Sequence, residues 1–114
     1  MTVHYLEIVS HDVDAVCSAY AKVHSVQFSE PDALLGGART AALPDGVTVG
    51  VRAPLRDTET PVVRPYGLVE NIEQAVADAV SAGAVVALPP MSIPGKGTIA
   101  ITLLGGNEHG LWQL

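Results

Sequence analysis

The pattern of apolar and polar positions runs through the chain twice. Val3 to Val9 alternates, with His4, Leu6 and Ile8 on one face and Val3, Tyr5, Glu7 and Val9 on the other, which predicts a strand. Asp12 follows as a helix cap, with Asp14 in the first turn where the helix dipole favours a negative charge. Val13, Val16, Cys17, Tyr20 and Val23 recur at helical spacing, so an amphipathic helix is predicted over about Val13 to His24. A short strand is expected somewhere in Ser25 to Ser29, where the pattern is least distinct, and a loop runs through Phe28 to Asp32. Strands are then predicted at Leu34 to Leu43 and Val47 to Ala53, joined by the turn Pro44-Asp45-Gly46. Pro54 to Pro61, rich in charge and threonine, reads as a linker.

The second passage repeats that order. Val63 to Glu70 is a predicted strand, and Asn71 a helix cap with Gln74 completing a capping-box pattern. Ile72, Ala75, Val76, Ala79 and Val80 form an apolar stripe that Gly83 is placed to end. Ala84 to Leu88 is a predicted strand and Pro89 to Lys96 a loop. Gly97 to Leu104 and His109 to Leu114 form a closing hairpin. Gly37, Gly46 and Gly50 recur sixty positions on as Gly97, Gly106 and Gly110, and the helical stripes superpose at a shift of 59.

Each half thus reads strand–helix–strand–strand–strand. The expectation is an α+β fold of two tandem βαβββ modules forming curved, barrel-like mixed sheets. One sheet face takes the helix. The other must meet a partner or a ligand, so a concave cavity on that side is the natural small-molecule site. The chain is expected to be one domain, with module 1 over about residues 1–54, a linker over about 55–62 and module 2 over about 63–114.

Composition narrows the partners. With 48% hydrophobic and 16% charged residues, the chain has the makings of a packed core. A net charge of −6, with Lys22, Lys96, Arg39, Arg52, Arg56 and Arg64 as its cations, argues against nucleic acid or an anionic membrane surface as partner. A single cysteine, Cys17, cannot build a disulfide framework, and its place in the helical stripe reads as core. No basic segment precedes an apolar stretch at the N-terminus, and no apolar run approaches a membrane span, so a cytoplasmic protein is expected.

Three stretches carry a family resemblance. Tyr5 to Tyr20, YLEIVSHDVDAVCSAY, resembles the opening of vicinal oxygen chelate proteins, the glyoxalase/bleomycin-resistance/extradiol-dioxygenase superfamily. Leu88 to Gly97, LPPMSIPGKG, resembles the loop before its last hairpin, and GGNEHGLWQL its closing strand. The resemblance implies the duplicated module fold and a homodimer. It leaves the activity open, because one fold hosts many reactions.

Metal-using members take one His, Gln or Glu from each module's first and last strands. Those positions fall here on Tyr5, Arg64, Gly50 and Gly110, or on Glu7 after a short slip. Two have no side chain, and arginine offers no lone pair. The family's metal, and with it any cofactor, is therefore expected to be absent, a divalent ion on an unorthodox ligand set being the alternative.

Alternation puts Tyr5, Glu7, Arg64 and Tyr66 on the cavity side. Glu7 has three open readings: structural pairing with Arg64, contact with a polar ligand, or a general base if desolvation raised its pKa. Trp112 shares parity with Gly110, and Arg52 is its near-equivalent; the indole reads either as a ligand wall beside an empty glycine or as core or dimer packing. His4 and His109 fall on helix-facing parity, and neither they nor His11 and His24 have metal spacing. Met91 to Lys96 reads as a lid over the cavity or as stiff spacing. The expected function is a glyoxalase/bleomycin-resistance-like protein that binds a small organic molecule in its cavity through Tyr5, Glu7, Arg52, Arg64, Tyr66 and Trp112. The alternative is an enzyme of the same superfamily, of the lyase, dioxygenase or hydroxylase kind.

Overall fold

The computed structural model describes residues 1–114. It contains seven strands and two helices: β1 (Val3–Val9), α1 (Val13–His24), β2 (Arg39–Ala42), β3 (Thr48–Arg52), β4 (Val62–Leu68), α2 (Ile72–Ser81), β5 (Val85–Ile93), β6 (Gly97–Leu104) and β7 (Asn107–Gln113). The fold is α+β. The chain falls into two compact units, residues 5–63, and residues 1–4 with 64–114.

In the first unit the strand order is β2-β3-β1, with β1 parallel and β2 antiparallel to β3. Leu6, Ile8, Val49 and Val51 line one sheet face and pack against Val13, Val16, Cys17 and Tyr20 of α1. Val49 and Val51 are completely buried, and each such side chain stabilises the fold by ~1.5–3 kcal/mol relative to exposure. Asp12 accepts from the Ala15 N–H, and Ser25 ends the helix in the left-handed region at φ 55°.

No strand forms at residues 25–29. Ser29 instead lies along β2, donating its N–H to the Thr40 carbonyl while its hydroxyl accepts from the Thr40 N–H. A side-chain oxygen thus replaces the backbone acceptor that a continuing strand would supply. The strand predicted at Leu34 to Leu43 is also shorter. Its first part is a 3₁₀ turn, Ala33–Leu35, because the Asp32 carboxylate caps the Leu34 N–H at 2.9 Å.

In the second unit the order is β4-β7-β6-β5, with β4 parallel to β7 and the other neighbours antiparallel. Asn71 caps α2 through the Gln74 N–H at 3.0 Å. The reciprocal half of the expected capping box is not made, because the Gln74 amide donates forward to Asp78 at 2.8 Å. Beyond the helix, Gly83 at φ 107° lets Ala84 N–H reach the Ala79 carbonyl and its own N–H reach Val80, a Schellman closure.

Pro89 and Pro90 belong to β5 rather than to a loop. β5 is the edge of this sheet, and its pairing with β6 skips between Leu88 and Met91. Prolines placed in such a skip remove no ladder hydrogen bond. The β6–β7 hairpin closes at Gly105 and Gly106, both at positive φ (61° and 77°), between paired Leu104 and Asn107.

Candidate functional site

Each unit has one sheet face free of its helix, and the strand register assigns its residues. In the first unit Tyr5 pairs with Thr48, Glu7 with Gly50 and Val9 with Arg52. Since Leu6, Ile8, Val49 and Val51 meet α1, alternation turns Tyr5, Glu7, Gly50 and Arg52 to the opposite face. In the second unit Tyr66 pairs with Gly110 and Leu68 with Trp112. Glu7 and Tyr66 are thus repeat-equivalents opposite equivalent glycines, and Arg52 is the counterpart of Trp112, as the sequence repeat implied.

The two glycines do not leave room for a ligand. A methyl group at residue 50 would overlap the Tyr5 hydroxyl, and one at residue 110 would lie 2.5 Å from the Tyr66 ring. Tyrosine side chains fill both places, and both tyrosines are buried. Glycine is required at each position by this close approach, not by backbone conformation.

Glu7, Arg52 and Glu59 form one buried ionic cluster. Arg52 Nε donates to Glu7 Oε2 at 2.9 Å, and its two terminal nitrogens donate to Glu59 Oε1 and Oε2 at 2.7 and 2.8 Å. Arg52 also donates to the Ala53 carbonyl at 3.2 Å, and Glu59 Oε1 accepts the Leu55 N–H at 2.7 Å. The side chains of Arg52, Glu7 and Glu59 are 7%, 10% and 17% exposed. The hydrogen bonds from Arg52 to Glu59 hold the guanidinium more firmly protonated than in water; burial opposes them, and the charge and hydrogen bond of Glu7 add to them. Two carboxylates thus share one guanidinium.

In the second unit Arg64 is buried and its Nε donates to Glu108 Oε2 at 2.6 Å. Trp112 is also buried. Its Nε1 donates to the Lys96 carbonyl at 3.0 Å, and its ring meets Tyr66 edge-on at 5.7 Å and His4 at 5.0 Å. The indole is therefore packed and hydrogen-bonded within its unit. His4, expected to face a helix, packs against that indole.

Glu59 and Glu108 were not among the residues the sequence singled out. Glu108 shares parity with Gly110 and Trp112 on β7, so alternation carries a signal for it. Glu59 lies in the aperiodic segment read as a linker, where no pattern marks it. The lid reading of Met91 to Lys96 does not hold: Met91, Ser92 and Ile93 pair with Ile99, Thr98 and Gly97, and Lys96 N–H closes a tight turn onto Ile93. Cys17 is buried in the α1 core, and that burial pushes its thiol pKa up, against a smaller opposing pull from Arg39.

The metal of the superfamily does not fit these residues. The glycines supply no donor, and the volume in front of them is held by Tyr5 and Tyr66. Glu7 already shares Oε2 with Arg52. No group of three or more His, Cys, Asp or Glu side chains converges at metal-holding distance. No helix is long and apolar enough to cross a membrane.

This architecture is the vicinal oxygen chelate fold. Its resemblance is to solved structures: methylmalonyl-CoA epimerase from Mycobacterium tuberculosis matches 97% of this chain and 86% of its own, with a TM-score of 0.76 at 14% identity. A hypothetical protein from Bacillus halodurans C-125 matches 99% and 94%, with a TM-score of 0.75 at 12% identity. A variant of the Streptomyces coelicolor methylmalonyl-CoA epimerase in complex with 2-nitronate-propionyl-CoA matches 97% and 95%, at 0.68 and 17%. No protein-family model and no curated protein sequence matches the chain. At these identities the likeness establishes the fold.

Proposed function

We propose that the protein binds a small organic molecule on a helix-free sheet face without the superfamily metal, the candidate contacts being Tyr5, Glu7 and Arg52 in one unit and, taken separately, Arg64, Tyr66 and Trp112 in the other. The observation that carries the metal-free part of this reading is the pair of tyrosines seated on Gly50 and Gly110, where a metal-using relative would present ligands. Buried phenols, an indole and paired charges suit a ligand that is part planar and part polar. Methylmalonyl-CoA epimerases of this fold have been solved in complex with methylmalonyl-CoA and with 2-nitronate-propionyl-CoA, which supports a small-molecule role for the fold but sets no substrate here. Cytoplasmic location and a homodimer belong to the same proposal.

A second reading is an enzyme with Glu7 as base, favoured by the burial of that carboxylate. Trp112 is the sole tryptophan, so its emission reports on its unit directly. A metabolite and antibiotic library screened by thermal shift and Trp112 fluorescence tests the binding reading. It predicts at least one compound that raises Tm and changes the emission saturably without being consumed. A compound turned over by the protein, with turnover lost in Glu7→Gln while affinity is kept, would move the assignment to the enzyme.

A further inference from the structure

Arg52 is the one guanidinium in the 5–63 unit placed on the helix-free face, and an arginine fork there is the natural anchor for a ligand carboxylate or phosphate. The fork is already filled. Both Glu59 oxygens take it in the bidentate arrangement by which arginine captures a free carboxylate, at 2.7 and 2.8 Å, while Nε is held by Glu7. Glu59 comes from a segment outside any strand or helix, seven residues from Arg52, and the same carboxylate holds the Leu55 N–H. Leu55 itself is 65% exposed, and its N–H is held by Glu59.

We propose that Glu59 is a specificity-determining residue: it acts as a tethered carboxylate that keeps Arg52 from anionic groups, so the ligand of this face is neutral or cationic rather than anchored through a carboxylate or phosphate. A short tether gives Glu59 an effective concentration on the order of millimolar or more, which a free carboxylate must exceed to displace it. This inference rests on the small-molecule reading above, but its test reads Arg52 alone and needs no natural ligand.

The test uses sodium acetate and inorganic phosphate as probes on the full chain, with chloride at matched ionic strength as control. In Glu59→Ala, acetate is expected to raise Tm saturably and to shift the Arg52 Nε–H resonance, with half-effect in roughly the millimolar range. In the wild type the half-effect concentration is expected to be at least about tenfold higher. If Glu59→Ala does not fold alone, refolding driven by acetate or phosphate but not by chloride is the expected result, and Glu59→Gln provides a milder second variant for the same titration. Equal anion responses in wild type and variants would overturn the proposal, as would folded variants that respond to neither anion or an unfolded one that neither rescues. Failure of the library screen with success here would dismiss the small-molecule reading while leaving the role of Glu59 at Arg52 intact.

Discussion

At the scale of single residues, the molecule turns on what sits above two glycines. Gly50→Ala and Gly110→Ala each force a methyl into a tyrosine side chain, and overpacking of this kind costs about 1–3 kcal/mol, more where the ring cannot move. Urea unfolding of both variants is expected to show that loss, whereas a glycine kept for a ligand cavity would accept alanine at little cost. Arg52→Met removes the guanidinium that Glu7 and Glu59 share, and breaking a buried pair costs about 3–5 kcal/mol, read by urea unfolding. The parity of Tyr5, Glu7, Gly50 and Arg52 was legible in the sequence because strands alternate. The pairing was not, because Glu59 stands in an aperiodic segment and Arg52 finds it by reach rather than by register.

Single elements show the same division between periodic and local signals. The helix α1 runs over the residues its apolar spacing predicted, and the equivalence of the two parallel strand pairs follows the glycine repeat. What escaped was local hydrogen bonding. Ser29 satisfies Thr40 with a hydroxyl, so no strand is needed at residues 25–29, and the Gln74 amide prefers Asp78 to the helix start. Removal of the two side chains that would make up the capping box should therefore differ. Asn71→Ala is expected to destabilise by ~1 kcal/mol through loss of the cap, and Gln74→Ala by only ~0.2–0.5 kcal/mol through loss of an i,i+4 contact. Equal losses, measured by chemical denaturation, would mean that the closed capping box forms in solution. In β5, prolines that read as a loop turned out to be strand residues, because edge position and register skips are properties of the sheet and not of the local sequence.

At the scale of the whole molecule, the fold was legible from its duplicated pattern. Cys17 offers a check on the packing of the α1 core: its thiol, buried and shifted upward, is expected to stay unreactive toward iodoacetamide until the protein unfolds. Fast labelling under native conditions would contradict the core assignment. The proposal that the superfamily metal has given way to tyrosine is the central claim, and it predicts binding that ignores chelation. The decisive measurement is the Trp112 fluorescence isotherm for a screened ligand, recorded before and after exhaustive dialysis against EDTA and paired with metal analysis of the purified protein. The account predicts superimposable isotherms and no stoichiometric metal; one retained equivalent of iron, manganese, nickel or zinc, or binding abolished by EDTA and restored by a divalent ion, would contradict it.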